Sequence, residues 1–149
     1  MERPGLYLAE LSDAAIDAFL LRGVPANGTD PDWSLVPNGG FTAFGGAIAD
    51  VADDDAAFSH RGALVEFGCA TSWVDPAEDQ TRIADARAYG AALAPFSKGV
   101  YVNALDDEGQ DGVRRAYPAA KLARLAELKH RYDPDNAFHL NQNVQPAGR

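Results

Sequence analysis

An α+β fold, with one antiparallel sheet covered on one face by helices, is what this sequence predicts, and three observations predict it. Segments of helical periodicity stand near both ends and in the middle of the chain, strand-like runs lie close enough together to pair antiparallel, and the helical segments are long enough to cover a sheet face. At 149 residues with 46% apolar side chains, the chain is one domain in size and has material for a core.

The elements follow in order. Ser12 is placed to cap a first helix, Asp13 suits its positive end, and Ile16, Phe19 and Leu20 recur at helical spacing until Gly23 stops it. Val24 to Asp32, rich in Pro, Asn, Gly and Asp, reads as a loop. Trp33 to Pro37 reads as a short strand, and Asn38-Gly39-Gly40 as a turn that needs positive φ. Strands are then predicted at Phe44 to Val51 and Ala63 to Trp73, pairing as a hairpin across the acidic loop between them. Asp75-Pro76-Ala77-Glu78 is a helix start, with Asp75 as cap, Pro76 at the first helical position and Glu78 closing a capping box. That helix runs to Leu93 or Ala94 and buries Ile83, Ala86, Gly90 and Leu93. Lys98 to Asn103 forms a further short strand. A last helix spans Arg114 to Tyr132 with a break near Pro118, an apolar stripe of Leu122, Leu125, Ala126 and Leu128, and cations near its negative end.

Thirteen basic against 22 acidic side chains give a net charge of −9, which repels phosphate backbones and anionic lipid surfaces. Neither nucleic acid nor membrane is an expected partner. Asp53-Asp54-Asp55 and Asp106-Asp107-Glu108 lack the alternating oxygen ligands and glycine turn of a calcium loop and read as solvated faces. The single cysteine, Cys69, lies in an apolar run and reads as a buried thiol. His60, His130 and His139 have no metal-ligand spacing, and no metal is expected. His60-Arg61 reads as an ion-pairing corner after the aspartates. With no signal-like amino terminus and no apolar run near the roughly twenty residues that span a bilayer, a cytoplasmic location is the expectation.

Some residues are suited to chemistry. Tyr101 and Asn103, two apart on a strand, would share a face. A phenol, with an ordinary pKa of about 10, acts as a base only where cations or hydrogen-bond donors stabilise its phenolate. Packing within a half-buried strand is the other reading of Tyr101. Asn141, Gln142 and Asn143 cluster amide donors and acceptors that hold a neutral heterocycle edge or a polyol, or else serve a turn. Phe41 and Phe44 flank Gly39-Gly40 and Gly45-Gly46, where the backbone can approach a neighbour closely, and form either the wall of a substrate pocket or part of the core. No phosphate-binding glycine pattern is present.

Taken together, Tyr132-Asp133-Pro134 with Asn141-Gln142-Asn143, Tyr101-Val102-Asn103 with Asp106-Asp107-Glu108-Gly109, Phe58-Ser59-His60-Arg61, Gly45-Gly46-Ala47 and Trp73-Val74-Asp75-Pro76 resemble, in order, the carboxyl-terminal part of berberine-bridge-enzyme-like FAD-linked oxidases. The resemblance covers roughly residues 33 to 146. It implies a partial substrate domain over residues 1–103 and a terminal berberine-bridge-like segment over 104–149, packed as one domain. The implied function is part of an FAD-dependent oxidoreductase of a hydroxyl- or amine-bearing small molecule, with Tyr101 catalytic and Asn103, Asn141 and Asn143 at the flavin. The family's glycine-rich pyrophosphate loop and its flavin-tethering histidine and cysteine are not found in these residues, so FAD binding is expected only with a flavin-binding domain or subunit as partner. Ala104 and Asp50 depart from the family's usual aromatic and basic residues, and no equivalent is assigned for an acidic or hydroxyl partner of the tyrosine. The alternative is a non-catalytic module whose uncovered sheet face is buried in a homodimer.

Overall fold

A computed structural model of the chain describes residues 5–21 and 37–148. Four strands, β1 (Gly5–Leu8), β2 (Asn38–Ala43), β3 (Val65–Ala70) and β4 (Ser97–Val100), form one antiparallel sheet in the order β2-β3-β1-β4. The helices are α1 (Asp13–Leu21), a single turn α2 (Ala47–Asp50), α3 (Asp79–Leu93), α4 (Gly109–Ala116) and α5 (Ala119–Tyr132). The predicted α+β class is the one observed. No helix among the described residues is long and apolar enough to cross a membrane.

Successive strand residues point to opposite faces, so the register divides the sheet cleanly. One face carries Leu6, Leu8, Val65, Phe67, Cys69 and Val100, which form the core with Ala15 of α1, Tyr89 and Leu93 of α3 and Ala116 of α4. Each large side chain buried there is worth about 1.5–3 kcal/mol of apolar transfer. Cys69 is buried as expected, its thiol directed at the Ala86 carbonyl. The other face carries Gly5, Tyr7, Gly40, Thr42, Glu66, Gly68 and Gly99.

Several sequence expectations need correction. β1 was not anticipated, yet it is the central partner of both β3 and β4. Asn38-Gly39-Gly40 is not a turn but the start of β2, because Gly39 must lie flush against the fully buried Tyr89 ring. The positive φ values fall instead at Gly45 (131°) and Gly46 (51°), which end the strand and let Ala47–Asp50 coil. The hairpin across the acidic loop therefore forms, but its first strand is Asn38–Ala43 rather than Phe44–Val51. The loop Val24–Asp32, the stop at Gly23 and all of the strand predicted at Trp33 to Pro37 except Pro37 lie outside the described residues, and Pro37 itself is not in a strand.

Asp75 caps as expected, its carboxylate accepting from Ala77 N at 2.9 Å, but Glu78 does not close a capping box. It pairs instead with Arg82 one turn on, and a 3-10 turn at Pro76–Glu78 leads into α3. Ala86, Gly90 and Leu93 are buried as predicted, whereas Ile83 is only half-buried. Ile16 and Leu20 remain exposed, and the stripe of α5 is half-buried at Leu122, Leu125 and Ala126, with Leu128 exposed. The break near Pro118 separates α4 from α5, and α4 begins earlier than predicted, at Gly109 with φ 56°.

Candidate active face

The face opposite the core has a covered end and an open end. Over the covered end folds the corner 57–63, where Phe58 and His60 lie on Tyr7 together with Phe44 (ring centroids 6.1, 5.1 and 5.4 Å). Arg61 donates to the Ile48 carbonyl at 3.2 Å and sits over the Phe58 ring, while Asp53 of the acidic loop pairs with Lys121. The corner is thus held by a carbonyl and a ring, not by the His60-Arg61 ion pairing that the sequence suggested.

At the open end, Gly40, Gly68 and Gly5 stand side by side on three neighbouring strands. A Cβ at Gly40 or Gly68 would meet nothing within 4 Å, so these two form a bare floor with Gly5 at its covered edge. Gly5 has a second use. A Cβ there would come within 2.8 Å of Ala104 and 3.1 Å of the Tyr101 Cβ, so only glycine lets the chain after β4 lie down over β1. That chain adds one ladder bond, Tyr101 N to Gly5 O at 3.0 Å, and then closes a 3-10 turn at Val102–Ala104. The strand predicted to Asn103 therefore ends at Val100. Tyr101 and Asn103 still meet, through a hydrogen bond rather than strand alternation, with Asn103 Nδ2 donating to Tyr101 Oη at 2.9 Å.

Between the two ends stands Glu66, opposite Tyr7 on β1 and Thr42 on β2. Its Oε1 lies 3.7 Å from the point where a Gly5 Cβ would sit, and the Tyr101 Cβ lies 3.1 Å from the same point. Burial raises the Glu66 carboxyl above the ordinary glutamate value. Burial, then the nearby Glu66 and Tyr101, pushes the Tyr7 phenol far above its usual range, so Tyr7 stays protonated. The result is a depression of about 440 Å³ lined by Glu66, Tyr101 and Asn103 together with the strand glycines. A volume of that order is typical of small-molecule sites. A carboxyl raised toward neutrality is suited to take a proton from a hydroxyl. No group of metal-ligating side chains occurs among the described residues.

The remaining sequence candidates lie elsewhere. Phe41 is on the core face, packed against Phe19 and Phe67 at 4.5 and 5.8 Å between centroids, because its parity on β2 is opposite to that of Gly40. Phe44 lies at the covered end, against Tyr7 and Phe58, and lines no part of the depression. Asn141 and Asn143 are likewise absent from its lining. Their segment is a turn, not extended: Asn141 has φ 59°, and Asn143 N bonds back to Asn141 O at 2.9 Å. Between them Gln142 ties the segment to the Leu105 carbonyl, and Gln110 donates to Asn143 O at 2.8 Å. Asp133 organises the turn after α5, accepting from Ala137 N, Phe138 N and Lys129. Phe138 and Leu140 project outward from this anchored strap, 83% and 81% exposed.

Two residues of the face escaped the sequence reading, Tyr7 and Glu66. Glu66 had a signal: it is the one charge in the run Leu64–Ala70 and has the parity opposite to Val65, Phe67 and Cys69.

Comparison with known proteins supplies a context for this geometry. Residues 100–145 match the family described as berberine and berberine like. The chain is 32% identical over 107 residues to the FAD-linked oxidoreductase YvdP of Bacillus subtilis, covering 72% of this chain and 24% of that protein. It is 25% identical over 165 residues to aclacinomycin-N/aclacinomycin-A oxidase of Streptomyces galilaeus, covering 97% and 29%. Its fold superposes on the glycopeptide hexose oxidase DBV29, crystallised with teicoplanin, with a TM-score of 0.80 at 22% identity, over 97% of this chain and 32% of that one. The chain thus spans about a quarter to a third of the length of the relatives it matches.

Proposed function

Because this chain belongs to the berberine-bridge-enzyme-like FAD-linked oxidoreductases, we propose that its open sheet face is the proton-accepting half of an oxidoreductase site for a hydroxyl- or amine-bearing small molecule. The observation that carries this reading is the lining of one depression by Glu66, by the hydrogen-bonded pair Tyr101 and Asn103, and by the bare Gly40 and Gly68. A planar ring system or a sugar ring fits such a floor, since no Cβ rises from it. FAD, held by a flavin-binding domain or subunit, supplies the hydride acceptor.

The chain's own residues do the rest. Glu66, raised by burial, takes the hydroxyl proton as the carbon–hydrogen bond breaks. Tyr101, fixed by the Asn103 amide, orients the substrate oxygen and shares that proton. Relatives named as a hexose oxidase and an aclacinomycin oxidase support a sugar hydroxyl as the substrate class. Residues 1–103 would then be part of a substrate domain and 104–149 the terminal segment that packs on it, with Asn141 and Asn143 near the flavin only where that domain reaches the strap.

The test is coexpression with a candidate flavin-binding domain, followed by an absorbance spectrum of the purified complex. Flavin bands co-purifying with the chain support the reading, and a complex without them refutes it. Exposed Phe138 and Leu140 support a second reading, a non-catalytic module that self-associates. A colourless homodimer that takes no flavin partner would favour it.

A further inference from the structure

The turn that carries Asn103 beside Tyr101 is a weak scaffold taken alone. It is a single 3-10 turn, Val102–Ala104, closed by Ala104 N to Tyr101 O at 2.9 Å and Leu105 N to Val102 O at 3.3 Å. Hydrogen-bond geometry is poorer in a 3-10 turn than in an α-helix, and one turn holds its shape only weakly. At its start the chain is pinned, with Tyr101 N on Gly5 O at 3.0 Å and Ala104 close above Gly5. Asn103 itself is exposed, so its bond to Tyr101 Oη depends on where the far end of the turn is held.

That far end is Leu105. Its side chain packs on the core and against α4, where a Cβ at Gly112 would come within 3.1 Å of both its methyls. Its carbonyl accepts from Gln142 Nε2 at 2.5 Å. The chain that follows, Asp106 to Glu108, is tied by the exposed pairs of Arg87 with Asp107 and Arg115 with Glu108, and exposed ion pairs contribute little. Gln142, by contrast, stands on a fixed base. Asn141, at φ 59°, and the bond from Asn143 N to Asn141 O fold the backbone around it into a turn. Gln110 of α4 donates to Asn143 O at 2.8 Å, and Ala147 N reaches Ala126 O of α5 at 3.0 Å. The berberine-like match runs from residue 100 to 145, and the bond from Gln142 to Leu105 joins its two ends.

Resting on the reactive reading of the open face, we propose that Gln142 is a positioning residue of the site, a brace that fixes Leu105 and thereby keeps the Asn103 amide on the Tyr101 hydroxyl. Gln142 is absent from the lining of the depression, so it acts through the turn and not on the substrate. It braces with a neutral donor, which sets the geometry of the pair without altering the charge beside Glu66. The terminal strap thus has a part in the chemistry that is separate from any contact made by Asn141 or Asn143.

Three variants of the full chain test the brace without flavin. Gln142→Met removes the donor at nearly constant shape, and Gln142→Lys restores a donor of similar reach. Gln110→Met deletes the neighbouring strap bond, which does not reach the turn. The readout is the nuclear Overhauser effect between the Asn103 side-chain amide and the Tyr101 ring, assigned with Asn103→Ala and Tyr101→Phe. It should be present in the wild-type chain and in Gln110→Met, lost in Gln142→Met and recovered in Gln142→Lys. The ring-shifted signals of Tyr7 and Tyr89 certify the fold of each variant. An effect absent from the wild-type chain, surviving in Gln142→Met, lost equally in Gln110→Met or not recovered in Gln142→Lys overturns the brace. In the flavin-loaded complex, Gln142→Met should lower kcat about tenfold to a hundredfold with KM little changed, the scale of a reacting group misplaced by about an ångström. Gln110→Met should keep the wild-type kcat. Loss of the Overhauser effect with kcat unchanged, or failure of the complex to load flavin, counts against the reactive reading of the face and leaves the brace to the NMR result.

Discussion

Gly39 and Gly40 are adjacent in sequence and point to opposite faces, so adding one methyl to each measures the two sides of the sheet separately. At Gly39 the new Cβ would lie 2.7 Å from Tyr89 Oη and 2.8 Å from its Cε1. Tyr89 cannot yield freely, because it is fully buried and its hydroxyl donates to Phe19 O at 3.0 Å. Overpacking costs about 1–3 kcal/mol and the lost hydrogen bond about 1 kcal/mol, against about 0.5–1 kcal/mol recovered by replacing a strand glycine. The balance is a loss of about 2 kcal/mol for Gly39→Ala, or a Tm lower by about 4–8 °C in a chain of this size. Gly40→Ala and Gly68→Ala meet nothing within 4 Å and should be unchanged or more stable by about 0.5 kcal/mol. Urea unfolding of the isolated chain, followed by fluorescence, reads these shifts in midpoint. Gly40→Ala or Gly68→Ala as damaging as Gly39→Ala would refute the bare floor.

Other expectations follow from the charges and the close contacts. Glu66 is raised above its ordinary 4.5 by burial, so its ionisation destabilises the fold as pH rises through that range. Glu66→Gln should therefore melt higher than the wild-type chain at pH 7, with the gap closing below about pH 4, and melting curves across pH check this. Asp133 is lowered from 3.8, first by the Lys129 hydrogen bond, so its contribution is present above that value and lost as pH falls through the lowered one. Asp133→Asn should destabilise the chain at pH 7 and flatten its acid unfolding limb in the same experiment. Gly99→Ala should displace the His60 ring, and loss of the upfield Tyr7 ring shifts in the NMR spectrum would report it.

How far the fold could be read in advance is clearest at particular residues. Asp75 capping, the buried Ala86, Gly90 and Leu93 and the break at Pro118 all follow from local chemistry, which acts within a few residues. The Asn38-Gly39-Gly40 segment misled because its glycines answer to distant partners: Tyr89, some fifty residues on, decides that Gly39 lies in a strand. β1 has only four residues, too short for a periodicity to show. Tyr101 and Asn103 were legible as a pair, although a 3-10 turn and not a strand brings them together. Glu66 stood in plain view as a charge of the wrong parity in an apolar run, and it mattered once β1 and the floor beside it were known. Phe41, readable from sequence as pocket wall or core, proves to be core, because β2 reaches back through Asn38 and sets Phe41 opposite Phe67 on the packed face.

Anaerobic flavin reduction in the reconstituted complex tests the central claim most directly. Wild type, Tyr101→Phe and Glu66→Gln complexes, each showing the same flavin bands, are mixed with a candidate sugar substrate and the bleaching rate is recorded. Bleaching should slow by about a hundredfold or more in Glu66→Gln and markedly in Tyr101→Phe, the scale of a lost general base. Wild-type rates in both variants would contradict the assignment of proton transfer to this face.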